Sequence, residues 1–229
     1  MPERPVPTLS IVVPVLDEAA GIGATLQALR PLRERGAEVI VVDGGSDDDT
    51  PQRAAPLADR LLVSPHGRAR QMNAGAAVAR APLLLFLHAD TQLPDGADAV
   101  LRDAVAAGAG WGRFDVHIDG RAPLLRLVAA LMNLRSRLSG IATGDQALFV
   151  RRALFDRVGG FPDQPLMEDI EISRRLRALA PPRCLRQRVR TSGRRWDTQG
   201  VWRTIFLMWR LRWRYWRGES PQSLAEAYR

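Results

Sequence analysis

The sequence predicts an α/β domain built on a mostly parallel central sheet flanked by helices. Through the first half of the chain, short apolar runs alternate with segments of helical period, and a β-α-β-α order is typical of parallel sheets covered on both faces. With 229 residues, 46% of them hydrophobic, the chain suits one domain with a substantial core rather than two full domains.

The boundaries of the elements follow from changes of period along the chain. In the first half we expect strands at residues 9–15, 39–43, 60–64 and 83–88, and helices at 25–35, 50–57, 69–80 and 97–107. After Gly108 the pattern loosens, and we expect a strand at 111–118, an amphipathic helix at 124–138, a short strand at 147–151 and a helix at 168–179. A final helix at about residues 198–217 precedes a polar tail.

The positive charge of the chain is concentrated near its C-terminus. The formal net charge is +8, and all 33 basic residues are Arg. Between Arg183 and Arg217 there are eleven Arg but a single acid, Asp197. This local excess indicates an anionic partner for the C-terminal part, such as a diphosphate, a phospholipid or a nucleic acid.

Cysteine content and hydropathy bear on the cellular compartment. The single cysteine, Cys184, excludes an intramolecular disulfide and a cysteine-based zinc cluster, which fits a reducing compartment. Residues 1–10 lack the apolar segment of a secretory signal, and no uninterrupted apolar run approaches the ~20 residues that cross a bilayer. We therefore expect a cytosolic location.

Acidic residues follow three of the expected strands. Glu18 comes after the first strand, Asp43 ends the second, and Asp90 follows the apolar run that ends at His88. Ligands in open α/β sheets bind beyond the carboxyl ends of the strands, so these acids can hold a metal or a ribose on one rim. The competing interpretation of Asp90 is a helix N-cap or turn former. We interpret residues 47–49 as an acidic helix start.

The segment after residue 66 opens a helix with cations. Arg68 and Arg70 are unfavourable at a helix N-terminus unless an anion lies nearby. A phosphate contact and a solvated helix start are therefore equally open. The chain has no Walker A sequence and no Gly-x-Gly-x-x-Gly, which argues against a P-loop NTPase or a dinucleotide dehydrogenase.

Further acids lie downstream, at the turn around Asp145 and at the helix that begins near Glu168 and Asp169. Either acid of the second pair could be an ordinary helix N-terminal charge. Beside a nucleotide-phosphate rim, however, a carboxylate is the group that can accept the proton of an acceptor hydroxyl.

In their order and spacing these motifs resemble the inverting family 2 glycosyltransferases of the GT-A fold. The resemblance covers residues 9 to about 195, and its matching segments are Pro14 to Glu18, Asp43 to Ser46, Arg68 to Gly75, His88 to Asp90, Gly144 to Gln146, and Glu168 with Asp169. Residues 88–91, 167–169 and 194–196 are also similar to the radical-SAM/selenodomain-associated transferase 2 subgroup. This resemblance implies a GT-A type α/β fold with a Rossmann-like nucleotide-binding half. It also implies one transferase domain over residues 1–195, followed by an amphipathic Trp/Arg-rich helix and tail over 196–229.

The resemblance also implies a role for each matching residue. The nucleotide site would comprise Pro14, Val15, Glu18, Asp43, Arg68, His88 and Ala89, with Arg68 facing the diphosphate. Asp90 would bind a divalent cation, Mn²⁺ or Mg²⁺, and Arg194 and Arg195 would cover the diphosphate. Asp169 would be the catalytic base, with Glu168 as the second choice, and Gly144, Asp145 and Gln146 would contact the sugar or the acceptor. The implied donor is a nucleoside diphosphate sugar, with UDP as the family-typical nucleotide.

Two residues depart from the family pattern. Asp17 stands where the family often has Asn, which we expect to leave the chemistry unchanged. His88 replaces the first acid of the Asp-x-Asp signature, which removes a negative charge and a ribose acceptor. A neutral imidazole can still accept a hydrogen bond or ligate Mn²⁺.

The C-terminal helix is amphipathic. Its apolar residues Trp202, Ile205, Phe206, Trp209, Trp213 and Trp216 recur at helical spacing, and Arg203, Arg210, Arg214 and Arg217 cluster on another side. Trp and Arg together favour a membrane interface, so we expect peripheral contact through residues 201–217 on the cytoplasmic face. The segment 124–138, with Arg126, Arg135 and Arg137, could form a second apolar surface near the acceptor side, which would suit a lipid-linked or membrane-proximal acceptor. The alternative is that both helices complete the core or a dimer contact.

Other functions remain open from the sequence alone. A sugar nucleotidyltransferase shares the nucleotide-binding sheet, but it would usually show a Gly-rich loop with a basic residue where this chain has Asp17 and Glu18. A non-enzymatic basic protein that binds membrane or nucleic acid would explain the C-terminal part but not the acidic rim. We therefore expect no nucleic-acid partner. A catalytically inactive transferase is a further hypothesis, because His88 replaces the first acid of the Asp-x-Asp signature.

Overall fold

A computed structural model of the chain describes residues 6–228, within which eight strands form one sheet. The strands are β1 Ser10–Val15, β2 Glu38–Asp43, β3 Arg60–Val63, β4 Leu83–Phe86, β5 Thr91–Gln92, β6 Trp111–Asp119, β7 Phe149–Arg151 and β8 Arg183–Ser192. The α-helices of the same part are α1 Ile22–Ala28, α2 Arg30–Glu34, α3 Thr50–Ala54, α4 Arg68–Val78, α5 Ala97–Ala106, α6 Leu124–Ser139, α7 Arg152–Arg157, α8 Glu168–Leu179, α9 Arg194–Gln199, α10 Val201–Trp216 and α11 Pro221–Tyr228. Short 3-10 turns lie at Ala55–Leu57 and Gly144–Gln146.

The sheet has a parallel half and a mixed half. Its strand order is β3-β2-β1-β4-β7-β6-β8-β5. The first four strands pair in parallel, whereas β7 is antiparallel to both β4 and β6, and β5 is antiparallel to β8. The prediction of an α/β fold is confirmed, and its parallel character belongs to the N-terminal half. Since β1, β2 and β4 are parallel, their carboxyl ends lie at one edge of the sheet.

Apolar clusters cover both faces of the parallel half. Along β1, Ile11 and Val13 belong to one cluster and Val12 to the other, as expected from the alternation of side chains in a strand. Helix α4 lies directly on the second face through Gly75, where a Cβ atom would come within 2.4 Å of Val12 Cγ1. This close packing positions Arg68, at the start of α4, near the carboxyl edge of the sheet.

Several predicted boundaries are wrong for identifiable reasons. The helix expected over 25–35 is two helices, because Pro31 lies in the first turn of α2 and has no N–H to continue the ladder. The tail expected to be polar contains α11, whose Leu224 is fully buried against Leu211 of α10. Strand β8 was not predicted because Arg occupies many of its exposed positions, and its buried residues are Leu185, Val189 and the polar Thr191.

The structure also bears on membrane spanning. Within the part of the chain that it describes, no helix combines the length and the low polarity that crossing a bilayer requires.

Candidate active site

The loops that follow β1 and β2 are tied together at the carboxyl edge. The buried Asp43 carboxylate accepts hydrogen bonds from the backbone N–H groups of Gly45 and Ser46, each at 3.0 Å. Ser46 Oγ in turn accepts a 2.9 Å bond from the backbone N–H of Asp17. The neighbouring Glu18 is held at its backbone N–H by Thr50 Oγ1, at 2.8 Å. The acids predicted at this rim therefore sit on loops with a fixed shape.

Three predicted nucleotide-site residues form the buried support of this edge. Pro14, Val15 and Ala89 are buried. The Val15 carbonyl accepts a 2.7 Å bond from the side-chain amide of Gln71, which also donates to the Val42 carbonyl at 2.9 Å. Gln71 was not predicted as a site residue, but it joins the ends of β1 and β2 from α4.

His88 and Asp90 follow β4 at the same edge. Asp90 is exposed, whereas the His88 ring packs against Gly144, where a Cβ atom would lie 2.4 Å from both Cε1 and Nε2 of the ring. Burial, together with the positive charge of Arg68, lowers the pKa of His88 to about 3. At neutral pH His88 is therefore an uncharged imidazole with a free lone pair.

The residues at this turn fit a cation that is shared with a ligand. Among residues 6–228, no three His, Cys, Asp or Glu side chains gather as a protein-only metal site. Asp90 offers an exposed carboxylate, and the neutral His88 is two residues away. Hard divalent cations prefer oxygen ligands and commonly complete their coordination with substrate phosphates. Asp90, with His88 beside it, would hold such a cation if a diphosphate supplied the remaining oxygens.

Two acids begin α8 beside the His88 turn, of which Glu168 is buried and Asp169 is half-buried. The Asp169 carboxylate accepts a 3.0 Å bond from the backbone N–H of Gly144 and a 2.8 Å bond from that of Ile170. Burial nevertheless raises the pKa of Asp169. Burial and the Asp169 charge raise the pKa of Glu168 to about 7, although Arg68 Nη1 lies 3.8 Å from its Oε1. Asp169, Gly144 and His88 thus form a continuous row of contacts from the predicted base to the predicted nucleotide site.

Arg135, from α6, is a site residue that was not predicted from the sequence. Its Nε and Nη2 atoms are buried without a hydrogen-bond partner, and so is Oδ1 of Asp145. Burial lowers the pKa of Arg135, and the charges of Asp145 and Asp169 oppose that change. Buried polar atoms without partners are costly, so this arrangement is typical of a subsite that a polar ligand completes. Helical spacing could have indicated this position, because Arg135 lies two turns after the buried Val128 on the same side of α6. A charged residue on the buried side of a helix is a candidate site residue.

Gln146 supports the turn that carries Asp145. Its side chain is fully buried, its Oε1 accepts the backbone N–H of Thr143 at 3.1 Å, and its amide nitrogen donates to Asn133 Oδ1 at 3.3 Å. The amide oxygen and the amide nitrogen of Gln146 therefore both form hydrogen bonds within the protein. The predicted contact of Gln146 with the sugar or the acceptor stays a prediction.

The two C-terminal cations lie in different environments. Arg194 Nη2 is 3.3 Å from Glu18 Oε1, which brings α9 to the rim. Burial raises the pKa of Glu18, and Arg194 opposes this effect. The Arg195 guanidinium stacks over the ring of Tyr228 at 3.8 Å, and Tyr228 also interacts with Arg68. Tyr228 was missed because it lies in the segment that was predicted only as a polar tail.

Backbone strain is concentrated at the same place. The non-glycine residues with positive φ in the described part of the chain are Asp17 (52°), Ala147 (48°) and Met167 (66°). They adjoin Glu18, Gln146 and Glu168, respectively. Such conformations cost energy and cluster at functional sites, so their placement supports a site at this edge of the sheet.

The fold and this edge together define an α/β domain whose ligand site lies at the carboxyl ends of the strands. Comparison with known proteins gives the family. The model of glycosyl transferase family 2 matches residues 10–155, and the chain belongs to this family. A PGL/p-HBAD biosynthesis glycosyltransferase of Mycobacterium tuberculosis (strain ATCC 25177 / H37Ra) is 34% identical over 164 residues, which cover 68% of this chain and 63% of that protein. The match thus spans less than two thirds of the relative's length.

Solved structures with the same fold include complexes with UDP and with GDP-Man. S. aureus TarS in complex with UDP superimposes with a TM-score of 0.63 at 18% identity, over 80% of this chain and 60% of that one. The mannosyltransferase PcManGT from Pyrobaculum calidifontis, in complex with GDP-Man and Mn²⁺, gives 0.62 at 20% identity, over 90% and 60%. The predicted GT-A fold is confirmed by these likenesses. The predicted similarity to the radical-SAM-associated subgroup stays a prediction.

Proposed function

We propose that this protein is an inverting glycosyltransferase that moves a sugar from UDP to an acceptor hydroxyl. The observation that carries the proposal is the row of contacts from Asp169 through Gly144 to His88. It connects a half-buried carboxylate, suited to accept a proton, with the strand ends where the nucleotide is proposed to bind. Family membership makes a sugar nucleotidyltransferase or a non-enzymatic basic protein a poorer account of the same residues.

Asp169 acts as the base in the proposed reaction. Its carboxylate takes the proton of the acceptor hydroxyl, and the oxygen attacks the anomeric carbon as the bond to the diphosphate breaks on the opposite side. One displacement inverts the anomeric configuration. Glu168 is the second choice for this role. Its pKa is raised to about 7, so only part of it is ionised at neutral pH, and only the ionised form can accept a proton.

The cations of the site stabilise the leaving diphosphate. Arg68 and Arg194 carry their charges to the rim beside Glu168 and Glu18, respectively. A divalent cation, when bound at Asp90 and His88, would neutralise further charge on the diphosphate oxygens. Arg195 would reach the diphosphate only by leaving Tyr228. The nucleoside would lie beside Glu18, over the edge that Pro14, Val15, Asp43 and Ala89 support from below.

We propose UDP as the nucleotide of the donor. A structural neighbour binds UDP, but another binds GDP-Man, so the base has to be tested directly. We assign the transferase domain to residues 1–195 and a separate surface role to 196–229. The acceptor is proposed to lie at the cytoplasmic face of a membrane, where the protein would be peripheral.

Calorimetric titration of UDP and of GDP, with Mn²⁺ and with EDTA, tests the donor site. We expect UDP binding that depends on the cation and weakens at least about tenfold in Asp90→Ala, the size of a lost charged contact. Asp95→Ala, at an exposed acid five residues away, is the control and should bind as the unmodified protein does. Absence of nucleotide binding under all conditions would remove the transferase proposal.

A further inference from the structure

The outer face of α10 is an exposed aromatic stripe. Its five members are Trp202, Phe206, Trp209, Trp213 and Trp216, with exposed fractions between 57% and 80%. At 3.6 residues per turn they fall within about 80° of one another around the helix. The opposite side contains Thr204 and Leu211, which are buried against the domain. The stripe therefore points away from the protein, where so much aromatic surface is unfavourable in water.

Arginines border this stripe. Arg203, Arg210 and Arg217 follow along one edge, and Arg217 lies over the Trp213 ring at 5.2 Å. Residues 201–217 contain no acid, and neither Arg203 nor Arg210 forms an ion pair within residues 6–228. A groove of about 350 Å³ between α10 and α11 is lined by Arg203, Phe206, Leu207 and Arg210, among others. Cations and an apolar wall at one groove suit an anionic headgroup with its acyl chain.

Helix α6 repeats the pattern with leucine. Leu127, Leu131, Leu134 and Leu138 are between 52% and 80% exposed and recur at the same four- and three-residue intervals. The opposite side of α6 is buried on the sheet. Met132 of α6 and Ile205 of α10 are partly buried and pack against the same core cluster. The molecule thus has two outward apolar helix faces whose inner sides join the same core.

Both helices also adjoin the candidate active site. Leu211 of α10 packs in one cluster with Met167, the residue that precedes Glu168 and Asp169. On α6, Arg135 lies beside Leu131, Leu134 and Leu138 and carries the unpartnered atoms next to Asp145. A partner surface in contact with the exposed faces of α6 and α10 would therefore lie near the acceptor subsite.

We propose that the aromatic stripe of α10 and the leucine stripe of α6 dock the protein on an anionic phospholipid bilayer. Trp side chains lie at the depth of the headgroups, and Arg beside them meets lipid phosphate. A dimer contact would bury the aromatic residues but would bring the bordering arginines of two copies together. The proposal rests on the proposed function only in placing an acceptor at that surface.

Vesicle binding tests the proposal directly. Four of the six Trp residues lie on the stripe, so docking should shift the Trp emission to shorter wavelength. We expect this shift, and co-sedimentation, with vesicles of phosphatidylglycerol and phosphatidylcholine, and much less with phosphatidylcholine alone. Added salt should weaken the binding. Brominated lipids, which quench Trp at the interface, should quench the emission.

Variants identify the surface. Two double variants should each weaken vesicle binding by about tenfold or more: Trp209→Ala with Trp213→Ala, and Leu131→Gln with Leu134→Gln. Each removes apolar side chains that the bilayer would bury. Arg203→Gln and Arg210→Gln should each weaken binding to anionic vesicles about fivefold. Val63→Gln, an exposed apolar position on β3, is the matched control and should bind normally. The changed side chains are exposed, so the fold should survive.

Each contrary result overturns the proposal. One is the absence of binding to anionic vesicles at low salt. A second is full binding by either double variant. A third is an emission shift that needs no lipid and follows protein concentration, which would assign the stripe to a dimer. UDP calorimetry on the same samples keeps the two proposals separate, because nucleotide binding without vesicle binding removes only the membrane surface.

Discussion

The backbone N–H of Gly144 donates a 3.0 Å hydrogen bond to Oδ2 of Asp169, and on its other side Gly144 packs against the His88 ring. One residue without a side chain therefore separates the predicted base from the predicted nucleotide site. The relationship makes the position of Asp169 depend on the turn that precedes β7. Changing the Asp169 carboxylate and filling the space at Gly144 should therefore have different effects on turnover and on nucleotide binding.

Replacing Asp169 with Asn removes the base but keeps an oxygen that can accept the Gly144 N–H. We expect turnover to fall about 10²-fold or more, which is the usual size of a general-base contribution, with UDP affinity nearly unchanged. Steady-state rates and calorimetry on the same preparation check this expectation. Equal loss of UDP binding would show that Asp169 supports the nucleotide site instead.

Gly144→Ala should disturb both sides of the turn. The new Cβ would lie 2.4 Å from two atoms of the His88 ring, so either the ring or the turn must move. We expect weaker UDP binding in the presence of Mn²⁺ and a lower turnover together. Gly23→Ala, in α1, is the control because no atom lies within 4 Å of its added Cβ. Unchanged binding and turnover in Gly144→Ala would contradict the close packing of the His88 ring against Gly144.

Glu168→Gln should make the protein more stable at alkaline pH. Burial and the Asp169 charge raise the folded-state pKa of Glu168 from 4.5 to about 7, so the folded state binds the proton more strongly than the unfolded state. The contribution of Glu168 to stability is therefore fully present below pH 4.5 and is lost as pH rises toward about 7, by ~1–3 kcal/mol for a coupled buried acid. Thermal unfolding should show Glu168→Gln gaining stability at pH 8 and little at pH 4. An equal gain at both pH values would contradict the assignment.

The pH dependence of turnover should report the ionisation of Asp169, with activity lost as the pH falls. Asp169 must be ionised to accept a proton, and burial raises its pKa, so turnover should fall as the solution becomes acidic at a pH above the ordinary aspartate range. A rate profile between pH 4 and pH 9 measures the acidic limb. A limb at the pKa of an unperturbed aspartate, about 3.9, would show that Asp169 is more accessible to water than its contacts indicate.

Local patterns were sufficient to predict the parallel half of the fold and its acidic rim. The alternation of Ile11, Val12 and Val13 between two clusters follows directly from strand period, and acids after parallel strands must meet at one edge. The contact between Gly144 and Asp169 joins segments 25 residues apart, so no local pattern encodes it. Likewise, only the folded α11 brings Tyr228 to Arg195.

Arg135→Met should separate transfer from donor binding. The buried Nε and Nη2 atoms of Arg135 have no partner in the protein, so removing the charge should cost little stability or raise it. If these atoms bind the sugar or the acceptor, transfer should fall by about tenfold or more while UDP affinity is kept. Arg126→Met, at an exposed position on the same helix, is the control for loss of charge. Normal transfer by Arg135→Met would mean that water completes the hydrogen bonds of this arginine, and the acceptor subsite would then have to be sought around Asp145 alone.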